Sequence, residues 1–417
     1  MFLLSTLTGI AFAFETQPPR PGKASPSGAP AAKRYSLEQA LSDKAQLHTI
    51  AFNGLAFLTG DFALDTFLPP GKVSDYFGFQ YMRDIDAGQG GHNTQFLTRI
   101  ANNTLAILNQ GQRDQLLALA KEQEAGIRKF ALLRFPLIQA FRRNLAGDLP
   151  QGCGGLDPKA VADYSGKLYE LDGLLAYRRA QVMGGIISSL DNRQREAFSK
   201  LTFGDSGTWP DAPEPPGRKE IPHALDVAVM TYASELFSWY AGTPEADTYF
   251  CPERHGMYFG GFGMKTAPAL GKADYSISTS LTGDSGEAFL GALTETQRRE
   301  ITQLIPLQRR DLTEIVATRR AIASELRRFQ RGEEADREKV LSLSKRYGEL
   351  DGNLSYLYAT AFAKVGRSLT SEQKQRLAAL RASDPSDPKG PFLYSDPVSQ
   401  FPVGDTDFFF GAAAPGN

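Results

Sequence analysis

Leu293-Thr294-Glu295-Thr296-Gln297-Arg298-Arg299-Glu300-Ile301 sets a hydroxyl side chain three residues before a glutamine at the head of an apolar-periodic run. That spacing is a capping box. Thr at the N-cap accepts from an orphan amide of the first helical turn, and Gln at N3 reaches back to the cap amide. The pattern stands again at Leu369-Thr370-Ser371-Glu372-Gln373-Lys374. With Asn or Asp at the cap it recurs at Leu108-Asn109-Gln110-Gly111-Gln112-Arg113 and Leu190-Asp191-Asn192-Arg193-Gln194-Arg195. Behind each cap lie apolar pairs, Leu116/Leu119, Phe198/Leu201, Ile301/Leu304 and Leu377/Leu380, along one buried stripe. The structural capping residues are therefore Asn109, Gln112, Asp191, Gln194, Thr294, Gln297, Thr370 and Gln373, and none of these roles is chemical.

Outward from these motifs the chain repeats itself. At a shift of 182, Gly60, Asp65, Thr66, Pro70, Tyr76, Phe77, Gly78 and Met82 fall on Gly242, Asp247, Thr248, Pro252, Tyr258, Phe259, Gly260 and Met264 without a gap. A shift of 185 aligns the motifs at Leu108 and Leu293, and a shift of 179 aligns those at Ser189 and Ser368. The changes of offset fall where Gly, Ser or Pro marks loops. The reading is an all-α protein of two homologous helical units, 36–208 and 221–382, joined by a Pro-rich linker at 209–220 and related by a pseudo-twofold. Helices are expected near 37–58, 95–107, 110–145, 158–188 and 191–201, with counterparts near 222–240, 285–292, 295–331, 334–367 and 371–382. Pro136 and Pro306 should bend or break theirs. The Gly/aromatic blocks at 75–82 and 257–264 read as irregular loops or short strands.

LTETQ and LTSEQ are LTxxQ motifs, and here the chain resembles the Spy/CpxP group of periplasmic helical proteins. The copies LNQGQ and LDNRQ depart from the motif at Thr but keep a capping side chain. The resemblance covers roughly 108–201 and 293–380. It implies paired motifs on helical hairpins, two of which form a curved antiparallel dimer, here fused as an intrachain pseudo-dimer. It also implies an ATP-independent chaperone or an envelope-stress role.

Composition narrows the rest. Across 417 residues, 46 basic side chains balance 47 acidic ones, which removes the electrostatic case for a nucleic-acid binder. Two cysteines exclude a disulfide-dense scaffold, a zinc ribbon and a cysteine-ligated cluster, and four histidines leave little for metal catalysis. Residues 1–13 read as a signal peptide, with Ala11-Phe12-Ala13 as a small-x-small cleavage pattern, although a basic n-region is missing. Residues 14–35 form a Pro/Gly/Ser-rich linker, and nothing later is apolar enough to span a membrane. A periplasmic or secreted protein follows, in which Cys153 and Cys251 could pair. The Pro/Phe-rich tail, 383–417, either packs back on the body or docks on a partner.

Candidate sites are few. Arg134, Arg142 and Arg143 fall on Arg319, Arg327 and Arg328 at the 185 shift, so both halves keep a basic helix segment. It reads either as a client-binding surface or as a solvated face laced with acids. Glu170/Asp172 and Glu349/Asp351 repeat at 179 and could converge on a cation, or pair with arginines while Gly173 and Gly352 allow close helix approach. Cys251 and His255, like His48, His92 and His223, read as structural. No Ser/His/Asp set, GxSxG or phosphate loop is present, so no enzyme, metal or cofactor is expected. The partners expected are protein or peptide clients or an assembly partner, with the chain a monomeric pseudo-dimer or further self-associated. A structural or accessory component of an envelope assembly is the rival to the chaperone reading, and a metal or stress sensor a weaker one.

Overall fold

The computed structural model describes residues 41–60, 82–83, 95–201, 209–214, 217, 220–242, 244, 247, 263–264, 277–278, 283–380, 392–393, 396–397 and 403–412. The stretches read as a signal peptide and first linker, Cys251, His255, His92 and most of the Gly/aromatic blocks lie outside them.

The described chain is mostly helical, as the pattern requires. Its helices are α1 (Asp43–Thr59), α2 (Gln95–Ile107), α3 (Gln110–Leu133), α4 (Phe135–Ala146), α5 (Pro158–Ser188), α6 (Asn192–Ser199), α7 (His223–Ala241), α8 (Gly283–Ala292), α9 (Glu295–Thr302), α10 (Leu304–Leu326), α11 (Arg337–Ser368) and α12 (Ser371–Leu380). The two prolines break the long patterns. Arg134 separates α3 from α4 with Pro136 in the first turn that follows, and Gln303 separates α9 from α10 just ahead of Pro306. Over Arg327–Arg331 the second pattern tightens into a 3-10 helix. Strands are short: β1 (Cys153–Leu156) pairs antiparallel with β2 (Phe410–Ala412). Two-residue ladders join Met82–Arg83, Phe392–Leu393 and Asp396–Pro397, and join Gly263–Met264 to Ile277–Ser278.

At the centre, α5 and α11 make the largest helix contact of the fold and run antiparallel. Small residues allow it. A Cβ on Gly173 would stand 2.3 Å from Ser344 Oγ, and one on Gly352 would stand 2.9 Å from Ser165 Cβ. Ser165 and Gly173 lie 179 residues before Ser344 and Gly352, so the two contacts use the same pair of positions with the helices exchanged. Tyr169 and Tyr347 meet edge-on at 4.6 Å beside them.

The first described helix of each half seats on the other half. α7 buries every residue from Ala228 to Phe237, and α1 buries Gln46, Ile50, Asn53 and Phe57. Helices apolar all round belong inside a bundle rather than on its surface. α1 lies against α8, α10 and α11, with Gly54 beneath Phe289 and Phe362. α7 lies against α2 and α3, with Phe237 on Phe198 and on Trp209 of the Pro-rich linker. The units 36–208 and 221–382 are thus interleaved: each sequence half supplies the helix that fills the other.

Candidate functional site

Of the arginines expected to face clients, Arg142, Arg319 and Arg327 reach carbonyls and a carboxylate within the fold. Arg142 Nη1 donates to the carbonyls of Phe57 (2.9 Å) and Gly60 (3.1 Å), closing the C-terminus of α1, with its guanidinium 4.6 Å over the Phe57 ring. Arg327 Nη1 does the same for α7, donating to Trp239 (3.0 Å) and Gly242 (3.1 Å). Its Nε and Nη2 grip Asp247 at 2.6 and 3.0 Å. Arg134 and Arg319 are fully buried, Arg319 donating to the Asp247 carbonyl at 3.0 Å. Of the residues expected to form a basic client-binding surface, Arg134, Arg142, Arg319 and Arg327 are thus engaged within the fold, Arg143 holds Asp407, and Arg328, its side chain 40 % exposed, pairs with Glu325. Helix C-termini leave orphan carbonyls, and a guanidinium satisfies two at once.

The capping residues pair across motifs. Asn109, Asp191, Thr294 and Thr370 each accept from the amide of the Gln three residues on, and each Gln returns the bond. The Gln side chains then meet: Gln194 donates to Gln112 at 2.7 Å and to the Ile107 carbonyl at 2.9 Å. Gln373 donates to Gln297 at 2.8 Å and to the Ala292 carbonyl at 2.8 Å. The arginine that follows three of the four Gln residues has a task as well. Arg113 donates to Leu105 and Leu108, Arg195 to Ile187 and Leu190, and Arg298 to Leu290, each reaching back to carbonyls of the helix before it.

Asp172 and Asp351 are buried on α5 and α11, Glu170 is exposed, and Glu349 pairs with Arg346 at 3.3 Å. Among the described residues no three His, Cys, Asp or Glu stand close enough to hold a metal. Cys153 lies half-buried on β1, and Cys251 is outside the described residues.

Where the halves differ, two sites emerge that sequence reasoning missed. The first is a buried charge pair. Arg179 of α5 and Glu235 of α7 are both fully buried, 3.5 Å apart, with Arg179 also donating to Gln123 (2.8 Å) and to the Tyr232 hydroxyl (2.9 Å). At the matching seat of α1 stand Tyr358, Gln308 and Gln46, with Tyr358 donating to Gln308 and Gln308 to Gln46 at 2.8 Å.

The second is the surface that receives the tail. α4 ends at Gly147, whose φ of 79° suits glycine, and the Asp148 amide reaches back to the Arg143 carbonyl at 2.9 Å. The turn that follows leads into β1, and Asp157 then caps α5. Arg143 Nε takes Asp148 (3.0 Å), and its Nη1 takes Thr406 Oγ1 (2.9 Å) and Asp407 Oδ1 (2.7 Å). β2 adds to β1, with Cys153 opposite Ala412 and Leu156 opposite Phe410, and the Asp157 amide donates to the Phe409 carbonyl at 2.7 Å. Phe409 is fully buried, its ring edge-on to Tyr164 at 4.9 Å, while Phe408 is 55 % exposed. Burial pushes the Tyr164 phenol up to about 12, so it stays a donor, here to the Leu133 carbonyl at 2.7 Å. One buried Phe contributes about 1.5–3 kcal/mol.

Among the described residues the second half has no strand corresponding to β1. Arg328 pairs with Glu333 as Arg143 does with Asp148, but its Nη1 is held by Glu325 at 3.1 Å. At the 185 shift Glu325 matches Ala140, which leaves the Arg143 fork open to the tail. Between its C-cap Gly332 and its N-cap Asp336 the second half is six residues shorter than the first between Gly147 and Asp157, the stretch that carries β1, and at 179 Leu343 matches Tyr164. Divergence between the repeats was the signal that could have located both sites.

No family model matches the chain, and no curated protein or solved structure is significantly similar to it. Among the described residues no helix is long and apolar enough to cross a membrane.

Proposed function

We propose that the chain is an extracytoplasmic, non-catalytic helical scaffold, a Spy/CpxP-like internal duplication folded as an exchanged pseudo-dimer, which serves as an accessory component of an assembly by binding extended protein segments. The duplication rests on matched geometry. Phe57/Gly60 and Trp239/Gly242 receive Arg142 and Arg327, Gln194 and Gln373 reach Ile107 and Ala292, and Ser165/Gly352 mirrors Gly173/Ser344.

The observation that carries the function is the β1 edge, which takes a strand and offers one arginine fork to its acidic side chain. Strand addition supplies affinity through the main chain, and pockets for alternate side chains supply specificity. The chaperone reading relied on a charged cradle, and of the arginines named for it Arg134, Arg319 and Arg327 are buried and Arg142 is engaged on α1 carbonyls. Light scattering of a chemically unfolded client, at low and high salt, tests the choice. No suppression of aggregation at several-fold excess supports the scaffold. Suppression near equimolar ratio, weakened by salt, overturns it in favour of a chaperone.

A further inference from the structure

The tail begins in one part of the fold and is used by another. Residues 381–402 run from the end of α12, in the second half, to a strand on β1 in the first, a connection of 22 residues whose Phe392–Leu393 and Asp396–Pro397 make the short ladder with Met82–Arg83, which exchange over the full length would have to open. A connection of that length reaches at most about 75 Å when extended. Nothing in the chemistry of the docked strand depends on its being the chain's own. Its grip is local: three strand residues, the buried Phe409 and the Arg143 fork on Thr406 and Asp407.

We propose that β1 is a strand-acceptor site whose partner is the tail of a second copy of this chain, so that copies join head to tail by exchanging residues 403–412. The proposal rests on the scaffold reading above and names its partner. Each chain carries one donor strand and one acceptor, because among the described residues the second half has no strand corresponding to β1 and its Arg328 is held by Glu325. One donor and one unlike acceptor make a heterologous contact, which closes into rings or extends as an open chain. A formal net charge of −1 sets no long-range barrier between copies. The tether gives the cis tail an effective concentration of the order of millimolar. Exchange therefore grows with concentration, or where an assembly holds copies side by side.

Cys153 provides the test, because Ala412 is its partner across the ladder. The full chain carrying Ala412→Cys and Cys251→Ser is prepared with and without heavy-isotope label. The two forms are mixed, incubated at concentrations from micromolar to millimolar, and oxidised. Mass spectrometry then reads the disulfide-linked peptide that joins Cys153 to the thiol introduced by Ala412→Cys, beside a non-reducing gel. The expected result is a monomeric cross-link at low concentration. As concentration rises, mixed-isotope cross-links and a covalent ladder should appear, with dimers increasing at least tenfold across the range. Phe409→Ala in the same background should reduce cross-links of both kinds. A cross-link that stays within one isotope at every concentration overturns exchange while leaving the acceptor site standing. No cross-link at any concentration overturns the acceptor site itself.

Discussion

Gln112 and Gln194, 82 residues apart in the chain, exchange hydrogen bonds through their side-chain amides while each closes the capping box of its own helix. Both are buried. A capping box is usually a local device; here two are welded, so the start of α3 and the start of α6 are fixed together. Losing one Gln strands its partner's buried amide. Gln112→Ala and Gln194→Ala should each cost about 1–3 kcal/mol, and the double variant should cost less than the sum, with a coupling of about 0.5–3 kcal/mol. Urea unfolding of the four chains in the cycle measures it. Additive losses would mean that the two boxes act alone.

Neighbouring glycines of α5 should respond with opposite sign. A Cβ on Gly184 would stand 2.4 Å from Phe329 Cβ and 2.7 Å from its carbonyl carbon, whereas one on Gly185 meets nothing within 4 Å. Gly184→Ala should destabilise by about 1–3 kcal/mol, since backbone has to move. Gly185→Ala should stabilise by about 0.5–1 kcal/mol through helix propensity. Thermal melts of the two variants side by side decide it, and equal shifts would sink the argument.

Arg179 and Glu235 test what a buried ion pair does here. Neither Glu235 oxygen accepts a hydrogen bond from a described residue, so the pair compensates its desolvation poorly. Glu235→Ala removes a buried carboxylate from beside the Arg179 guanidinium and should cost about 3–5 kcal/mol. Replacing both, as Arg179→Met with Glu235→Leu, should restore stability to within about 1–2 kcal/mol of the parent or exceed it. A double variant as weak as the single would show that the pair is worth more than apolar packing.

Acid should loosen the junction between α10 and α11. Burial alone would push the Glu325 carboxyl up, but the Asp336 amide at 2.9 Å, Lys339 at 2.8 Å and Arg328 outweigh it and hold the group below its ordinary 4.5. A carboxylate lowered in the folded state contributes stability that is fully present above 4.5 and lost as pH falls through the lower folded value. Glu325→Gln should therefore cost about 1–3 kcal/mol at pH 7. That difference should shrink toward pH 3, and unfolding free energies taken every half unit would reveal a constant gap if the carboxylate plays no part.

The helices, the proline breaks and the capping residues were legible because each is written in a few adjacent residues. Thr294 and Gln297 name their own bonds. So was the close approach of α5 and α11, since Gly173 and Gly352 stand mid-helix where glycine is otherwise costly. The destinations of Arg142 and Arg327 were not. An arginine on a helix reads as surface, and its partners are carbonyls of Phe57 and Trp239, which every residue possesses and no pattern marks. The seats of α1 and α7 were hidden for a related reason. Apolar residues all round a helix declare that it is buried and are silent about which bundle buries it. The tail acceptor was written only as a difference, Ala140 against Glu325 and Tyr164 against Leu343.

Interleaving also fixes an order of events during synthesis. α1 leaves the ribosome early, but its neighbours α8, α10 and α11 are encoded more than two hundred residues later. At about 5–20 residues per second, the chain from residue 59 to residue 292, where α8 ends, takes roughly 12–47 s to make. For all of that time α1 has none of these neighbours to sit against. α1 is made early and seated late, so the nascent chain has to be kept from aggregating until the second half arrives.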